Sequence, residues 1–563
     1  MRRASPLLAL IGTLVLVALA AAQQGKIYWG DEVPQHWNGD WPASVLTVPE
    51  RTDYTRTTGP LELLEYIDAI RWQTENVHVV QLFRSPLGNI ATAVVMANPR
   101  IRSAEEARAS GKPIVFLMGG IHPPEPEATE AIQMVMREIL LGDASHLLDH
   151  QIVVAAPLFN VDGAEAVGIQ TANYGSVTPH LLGQRSNSQG LDLNRDGVKL
   201  ETVEARGLYR FFNEWDPILF LDGHLMSRVT HGYANAYATS TVPAAHPGPR
   251  DYVTNTLFPA VRELVRDDYG LEVFTHALFD RSTWPPTEWA HDQAGWTVEA
   301  KFVINDFGLR NRMGIITETP GQPTFERRIY AQYAYIMSLL EYTNTHATEM
   351  QEVVRHADES TVQAVLDGAE AGTLRNWVAG KYISRGKVDI LAYRENVPEY
   401  LPGTSVLGTR PGTAEGKPER IRDVDDKTLP VGTKDAWMPR GYLIPREYDY
   451  IAEKLRQHGI RVSTLEQDRR VEGEQFIVAS TTTGRRGLRV LDGQFAKSTT
   501  DFPAGTYFVD MAQPMANAAF YYLEPESTDG FTGWGVLDET LLELDAARKP
   551  FAYPIFKYRR DSK

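Results

Sequence analysis

The chain has 563 residues, of which 43 % are hydrophobic, so it is long enough to bury large cores in two or more domains. Its formal charge of −16 disfavours binding to nucleic acid and to anionic lipid surfaces. The chain contains no cysteine, which excludes disulfides and thiolate metal ligands. Any metal must therefore be held by His, Asp or Glu.

The N-terminus has the residue order of a secretory signal. Arg2 and Arg3 precede the apolar run PLLALIGTLVLVALA, and small residues follow that run. The run is shorter than the roughly 20 residues that a membrane span needs. We therefore expect residues 1–22 to be a cleaved signal peptide. The mature protein would begin near Gln23, be secreted or periplasmic, and have no stable membrane insertion.

Apolar runs of strand length occur through the first two thirds of the chain, beginning at His78, Ile114, Gln151, Ile218 and Met313. They do not alternate with polar residues, which indicates strands buried on both faces of a sheet. Segments with helical apolar spacing lie between them, including ATEAIQMVMREILL and the segment after Pro323. This alternation predicts an α/β domain with a largely parallel or mixed sheet over residues 23–372.

The pattern changes after Gly372. The runs GKVDILAY, EQFIVAS and GTYFVDM predict short strands, and Leu401 to Gly441 is rich in Pro, Gly, Thr and charge. One helix is predicted from Arg446 to Gly459. We predict that residues 373–563 form a second, smaller, strand-rich domain.

Polar residues follow several of the predicted strands of the first domain directly. They are His122 and Glu125, then Asn160 and Asp162, then Asp222 and His224, and finally Glu318. Ligands collect at the carboxyl ends of strands in open α/β sheets. We therefore expect these segments to converge on one site.

His122 and Glu125 flank two prolines in the stretch HPPE. A residue before proline is pushed out of the α region, so the stretch should stay non-helical until about Ala128. Extended polyproline has three residues per turn, which would point both side chains to one side. Glu127 is an alternative ligand that the spacing does not eliminate. With His224 as a third ligand, the fourth position would be left for water, as in catalytic zinc sites.

The stretch RSNSQGLDLNRDG runs from Arg185 to Gly197. The motifs HPPE, DLNR, DGH and TETP follow in order between about Leu46 and Leu340. In this combination the chain resembles the zinc metallocarboxypeptidases of the carboxypeptidase A type, in their compact bacterial form. The resemblance implies a three-layer mixed-sheet catalytic domain, one Zn²⁺ per chain, and peptide substrates with a free C-terminus.

The resemblance also implies a role for each metal-site residue. His122, Glu125 and His224 correspond to the zinc ligands of the family. Asp192 corresponds to the aspartate that orients the first zinc histidine.

The remaining motifs correspond to the family's catalytic and substrate-binding residues. Arg185 corresponds to the arginine that polarises the scissile carbonyl. Asn194 and Arg195 correspond to the pair that grips the terminal carboxylate of the peptide. Glu318 corresponds to the general base.

The chain departs from the family pattern in one respect. The family has a flexible tyrosine about twenty residues before the base, whereas this region reads EWAHDQAGWTVEAKF and contains no tyrosine. Its Trp289 and Trp296 are either walls of the substrate cavity or parts of an ordinary packed loop. Near the C-terminus, LEPESTDGFTGW resembles an extension found in many secreted bacterial members, to which no chemistry is assigned.

Three other functions are compatible with parts of this pattern. Relatives of aspartoacylase and succinylglutamate desuccinylase share the His-x-x-Glu, DLNR and late-Glu arrangement and cleave N-acyl amino acids. A murein peptide amidase would suit a periplasmic address. A catalytically inactive binding protein is disfavoured, because the ligand set is intact and Glu318 is present.

Overall fold

The computed structural model describes residues 33–169, 179–226, 229, 231–279, 283–393, 418–484, 487–547 and 550–562. The predicted signal peptide, residues 1–22, lies outside the described residues. None of the helices described is long and apolar enough to cross a membrane.

The α-helices of the described chain have the following bounds: α1 Val48–Arg51, α2 Pro60–Arg71, α3 Ala104–Ser110, α4 Glu127–Leu141, α5 Val161–Glu165, α6 Val203–Trp215, α7 Pro247–Tyr252, α8 Phe258–Tyr269, α9 Val303–Leu309, α10 Phe325–Thr345, α11 Ala347–Gly368, α12 Asp449–Gln457, α13 Ala516–Leu523 and α14 Asp538–Ala547. The strands have these bounds: β1 Val77–Arg84, β2 Ile90–Met96, β3 Ile114–Met118, β4 Ile152–Ala156, β5 Gly168–Ile169, β6 Leu181–Leu182, β7 Leu219–Met226, β8 Asn235–Thr239, β9 Val273–Thr275, β10 Glu288–Ala290, β11 Met313–Pro320, β12 Arg375–Ile383, β13 Lys387–Ala392, β14 Glu419–Lys427, β15 Leu429–Trp437, β16 Gly441–Ile444, β17 Ser463–Thr464, β18 Arg469–Thr483, β19 Arg489–Phe502, β20 Tyr507–Asp510 and β21 Phe551–Asp561.

The first part of the chain is built on a mixed sheet. Within the described residues, eight strands lie in the order β1-β2-β4-β3-β7-β11-β8-β9. The central pairs β4–β3, β3–β7 and β7–β11 are parallel, whereas β8 runs antiparallel to β11. Every residue of β3 and β4 is buried, as expected for strands covered on both faces. The predicted mixed sheet is confirmed.

Helices cover both faces of this sheet. Gln332 of α10 donates to the Thr317 hydroxyl of β11 at 2.6 Å. A Cβ built on Gly314 of the same strand would lie 2.9 Å from the Ile304 oxygen of α9. Successive side-chain positions of a strand alternate between the two faces of the sheet. Residues 314 and 317 are three positions apart, so they face opposite sides of the sheet. Helices α9 and α10 therefore form the two outer layers of the predicted three-layer fold.

The C-terminal part is rich in strands, as predicted. Its largest sheet has the order β17-β20-β16-β21-β18-β19 within the described residues, and its neighbouring strands are antiparallel. The helix predicted from Arg446 to Gly459 is α12, preceded by a 3₁₀ turn over Arg446–Tyr448. Strands β14 and β15 were not predicted, because their sequences are highly charged or broken by proline and glycine. The rest of that segment, residues 401–417, lies outside the described residues.

The two parts of the chain share secondary structure and core. Strand β10 pairs in parallel with β14, from the other side of the predicted boundary. One hydrophobic cluster contains Val242 and Ala300 from the first part together with Tyr522 and Phe531 from the second. The boundary between residues 372 and 373 stays a prediction, and both a sheet and a core extend across it.

Candidate active site

The stretch HPPE forms a turn after β3. The Glu125 N–H donates to the His122 oxygen at 2.9 Å, which closes a β-turn over the two prolines. The expected extended polyproline geometry is therefore wrong. Glu125 retains an N–H because it follows the prolines, so the chain can close on itself there. Helix α4 begins at Glu127, close to the predicted start.

The candidate metal ligands converge. Ligand atoms of His122, Glu125 and His224 all lie within 4.8 Å of one another, and the three residues are buried. His122 Nδ1 lies 3.2 Å from Glu125 Oε1, and His224 Nδ1 lies 2.7 Å from Glu125 Oε2. Strand β7 supplies His224, and the next N–H on that strand, of Leu225, donates to Glu125 Oε2 at 3.3 Å. The sheet therefore fixes both the histidine and the carboxylate that faces it.

A second carboxylate holds the far side of each imidazole. His122 Nε2 donates to Asp192 Oδ1 at 2.9 Å, and His224 Nε2 donates to Asp222 Oδ2 at 2.9 Å. A carboxylate only accepts, so each ring carries a proton on Nε2 and points Nδ1 at Glu125. This arrangement is typical of histidines that bind metals. The structure thus places Asp192 beside His122 and Asp222 beside His224.

The cluster fits a divalent cation. His122 Nδ1 is buried and makes no hydrogen bond in the described chain, although Glu125 Oε1 lies 3.2 Å away. Burial alone would lower the pKa of His224, but Asp222 and Glu125 raise that pKa well above its usual value. The surroundings therefore favour positive charge at this point. Two imidazole nitrogens and one carboxylate oxygen form a known donor set for catalytic zinc, so the residues present fit one zinc ion.

Glu127, the alternative ligand, lies outside this cluster. It is fully buried, and Arg328 Nε lies 2.8 Å from its Oε1. Burial raises the pKa of Glu127 to about 7 in spite of the arginine. Glu127 is thus part of the packing of α4 against α10, and the structure places Glu125 beside the two histidines.

The candidate ligands open onto a cavity of about 350 Å³. Its lining contains the sequence-predicted residues and several others: His122, Glu125, Arg185, Asn194, Arg195, His224, Leu225, Met226, His276, Ala294, Gly295, Trp296, Phe302, Ile316 and Glu318. The cavity therefore joins the predicted metal ligands, base and substrate-binding residues in one space.

Glu318 reaches the cavity from β11. In the sheet it is in register with His224 of β7 on one side and Ala236 of β8 on the other. Burial raises the pKa of Glu318 to about 8, against the opposing effect of the neighbouring His224. A carboxyl group with such a pKa can both take and give a proton near neutral pH.

Arg185 bridges two carboxylates of the site. Its Nη1 donates to Glu125 Oε1 at 2.8 Å, and its Nε donates to Asp192 Oδ2 at 3.1 Å. The side chain is 32 % exposed and lines the cavity. The guanidinium is therefore held in a fixed position next to the candidate metal ligands.

Asn194 and Arg195 lie in a short 3₁₀ turn that Asp192 caps by accepting from the Asn194 N–H at 3.0 Å. Asn194 Oδ1 accepts from the Val303 N–H at 3.1 Å, and its Nδ2 lies 3.3 Å from His224 Nε2. The Arg195 guanidinium lies over the Phe302 ring at 4.4 Å. Both side chains are thus supported by the segment that ends in Val303.

Asn160, also predicted to converge on the site, supports the loops that carry it. Its Nδ2 lies 3.4 Å from the Ile121 oxygen and 3.2 Å from the Arg185 oxygen, so it ties two site loops together. Asp162 accepts from the hydroxyls of Ser85 and Ser188. Neither residue lines the cavity.

His276 lines the cavity but was not predicted from the sequence. Its N–H donates to the Tyr237 oxygen at 2.6 Å, and its carbonyl accepts from His291 Nδ1 at 2.5 Å. It follows the three-residue strand β9, which has no apolar run to mark it. Of the two tryptophans considered, Trp296 lines the cavity, whereas Trp289 is buried in a separate cluster.

Residues 63–242 match the family model described as zinc carboxypeptidase. This stretch contains all three candidate metal ligands, together with Arg185 and Arg195. This stretch is similar to the zinc carboxypeptidase family. Glu318 lies beyond the matched residues and enters the same site through strand β11.

Named relatives extend the similarity over most of the chain. "Carboxypeptidase 2" of Trichophyton equinum is 24 % identical over 487 residues, which cover 81 % of this chain and 79 % of the relative. "Carboxypeptidase 2" of Trichophyton rubrum is 23 % identical over 492 residues, covering 81 % and 78 %. The family model and these relatives identify the chain as a zinc carboxypeptidase enzyme. Both relatives are fungal, so the assignment is not restricted to a bacterial form.

Among solved structures, the zinc carboxypeptidase chain is similar to a metallo-carboxypeptidase from Burkholderia cenocepacia. That match is 17 % identical, covers 51 % of this chain and 70 % of the other, and has a TM-score of 0.38.

Proposed function

We propose that this zinc carboxypeptidase is a secreted enzyme that removes C-terminal residues from peptides ending in a free carboxylate. His122, Glu125 and His224 would hold one zinc ion per chain. The observation that carries the proposal is the convergence of three buried ligand groups and Glu318 on one cavity. The N-terminal order of charged, apolar and small residues supports secretion.

Zinc in this position would supply Lewis acidity toward water and toward the scissile carbonyl. Glu318 takes a proton from the attacking water and passes it to the leaving amine. Such a proton exchange contributes a factor of roughly 10²–10⁴ in general acid–base catalysis.

Arg185 stabilises the negative charge that develops on the carbonyl oxygen. Glu125 and Asp192 hold its guanidinium in place before substrate binds, so little reorganisation accompanies the reaction.

Arg195, with Asn194, binds the terminal carboxylate of the peptide. A guanidinium matches a carboxylate through two parallel hydrogen bonds, and stacking on Phe302 fixes its plane. This pair makes the free C-terminus, rather than an internal bond, the feature that the enzyme recognises.

The experiment is a comparison of matched peptides with free and amidated C-termini. The zinc-loaded protein is incubated with both sets, and products are identified by mass spectrometry over time. We expect sequential loss of residues from free ends only, abolished by a chelator and restored by zinc. Release of acyl groups from N-acyl amino acids without peptide shortening would instead favour the amidohydrolase function. A zinc-loaded protein that turns over neither class would favour an inactive binding protein.

A further inference from the structure

We infer that Asp529, in the C-terminal part, is a positioning residue of the active site. It holds the segment 296–303, which forms one wall of the cavity and supports Asn194 and Arg195. The kinetic part of this inference rests on the proposed function, whereas its structural part can be tested without activity.

Asp529 is fully buried and accepts hydrogen bonds from both parts of the chain. Its Oδ1 accepts from the Ala300 N–H at 3.1 Å and its Oδ2 from the Lys301 N–H at 2.8 Å. The Tyr521 hydroxyl donates to Oδ1 at 2.7 Å, and Trp534 Nε1 donates to Oδ2 at 3.3 Å. Two consecutive backbone N–H groups bound to one carboxylate fix both the position and the orientation of the segment. The donors from Tyr521 and Trp534 fix the carboxylate itself.

The segment bound in this way reaches the substrate-binding residues directly. Trp296 and Phe302 line the cavity, and Phe302 lies beneath the Arg195 guanidinium. The Val303 N–H, two residues after Lys301, donates to Asn194 Oδ1. A shift of the backbone at residues 300–301 would therefore move the support of both Asn194 and Arg195.

The sequence around Asp529 is shaped to present its carboxylate. A Cβ on the next residue, Gly530, would lie 2.5 Å from the Tyr521 oxygen, and one on Gly533 would lie 2.8 Å from the Thr528 oxygen. Only glycine allows these close approaches. The stretch STDGFTG is thus a tight loop that presents the Asp529 carboxylate to Ala300 and Lys301 of the first part. This gives the extension LEPESTDGFTGW a function in substrate binding.

The test compares Asp529→Asn with the parent chain and with a control, Glu524→Gln. Asparagine keeps the size of the side chain but places an NH₂ group against one of the two backbone N–H groups. Glu524 is equally buried in the C-terminal part, where Lys557 Nζ lies 2.8 Å from its Oε2. Its replacement controls for the loss of any buried carboxylate.

We expect Asp529→Asn to raise KM for free-ended peptides by about tenfold, the effect of one misplaced charged hydrogen bond. The zinc content should be unchanged and kcat should stay within a few-fold, since Asp529 does not touch the candidate ligands or Glu318. Amide hydrogen exchange over residues 296–303 should be faster than in the parent. Glu524→Gln should lower the melting temperature without changing KM or exchange in that segment. Tyr521→Phe, a milder change at the same carboxylate, should shift KM in the same direction by less.

Unchanged KM together with unchanged exchange over residues 296–303 in Asp529→Asn would overturn the inference. Equal changes in Glu524→Gln would also overturn it, because they would indicate general loosening. If Asp529→Asn does not fold, the comparison of Tyr521→Phe with Glu524→Gln decides in the same way. If the parent cleaves no peptide, the proposed function fails, and the exchange comparison still decides the inference.

Discussion

The carboxyl groups of the site differ in their surroundings and therefore in their pKa. Burial disfavours ionisation of Asp192, but the hydrogen bond and charge of His122, together with Arg185, hold its pKa well below the usual range. Burial raises the pKa of Glu318 to about 8. Two such carboxyl groups in one site suit different roles, Asp192 that of a permanent anion and Glu318 that of a group that exchanges protons.

Replacement of Glu318 by glutamine separates catalysis from binding. Glutamine has nearly the same size but cannot take a proton from water. We expect Glu318→Gln to retain its fold, zinc content and inhibitor affinity while turnover falls by at least about 100-fold. Melting curves, elemental analysis and steady-state kinetics measure these properties. Activity within a few-fold of the parent would show that Glu318 is not the base.

Removal of either candidate histidine ligand should release the metal. We expect His122→Ala and His224→Ala each to lose most of the bound zinc, because only two of the three protein ligands remain. Elemental analysis after dialysis measures the zinc-to-protein ratio. His146→Ala is the control, since that histidine is half exposed, pairs with Glu341 and does not line the cavity. Full zinc occupancy in both ligand variants would refute the assigned ligand set.

Arg195 should distinguish free from amidated C-termini. We expect Arg195→Ala to lower kcat/KM for free-ended peptides. The corresponding loss of transition-state stabilisation should be roughly 2–5 kcal/mol, the usual effect of removing one partner of a buried charge pair. Any residual activity on amidated peptides should change much less. Parallel rate measurements on the two peptide sets test this difference. An equal loss on both sets would assign Arg195 a structural role instead.

At the scale of the secondary-structure elements, the sequence predicted the parts whose burial is uniform. Helices cover both faces of strands β3, β4, β7 and β11, so the sequences of these strands are continuous apolar runs. Such runs can be recognised in the sequence as buried strands. Strands β9 and β14 were missed because one has three residues and the other is rich in charge. The candidate metal ligands are predicted from motifs at strand ends. His276 is not, since only the fold brings it to the cavity.

One close contact between elements explains the glycine of the DGH motif. A Cβ on Gly223 of β7 would lie 2.2 Å from the Ala128 Cβ of α4 and 2.7 Å from Gln332 Nε2 of α10. Real Cβ atoms do not approach so closely. Helix α4 can therefore lie against β7, and bring Glu125 to His224, only because residue 223 has no side chain.

Gly223→Ala should therefore affect both stability and the metal site. We expect a loss of about 1–3 kcal/mol in unfolding free energy from overpacking, and weaker zinc binding because α4 is pushed away from His224. Urea unfolding and zinc titration measure the two effects. The double variant with Ala128→Gly removes one of the clashing methyl groups and should recover part of both. Additive losses in the double variant would contradict the proposed contact.

At the scale of the whole molecule, a buried carboxyl group joins the two parts of the chain. Asp306, in α9, is fully buried and accepts from the hydroxyl groups of Tyr209 and Tyr522 at 2.5 Å each. Tyr209 belongs to the first part and Tyr522 to the second. Together with the β10–β14 pair and the shared core, this contact indicates that the two parts fold as neighbours with a common interior.

Asp306 should make the stability of the chain depend on pH. Burial raises its pKa to about 7 in the folded chain, whereas an aspartate in the unfolded chain has a pKa of about 3.9. At a pH between these two pKa values, the folded chain keeps a proton on Asp306 that the unfolded chain has released. The free energy of unfolding therefore falls as the pH rises. The stabilising contribution of protonated Asp306 is complete when the pH is below the pKa of Asp306 in the unfolded chain. It is lost as the pH rises through the pKa of Asp306 in the folded chain. Asp306→Asn keeps a similar pattern of donor and acceptor but does not titrate.

We therefore expect the unfolding free energy of the parent to fall relative to that of Asp306→Asn between pH 5 and pH 8. Urea unfolding of both proteins across that range measures the difference, and contributions from other titrating groups cancel in it. Asp267→Asn, at an exposed position, is the control and should give a curve parallel to the parent. If the curve of unfolding free energy against pH for Asp306→Asn were also parallel to that of the parent, Asp306 would be ionised in the folded chain at pH 5. The two tyrosine hydroxyls would then be donating to a charged carboxylate across the interface between the two parts.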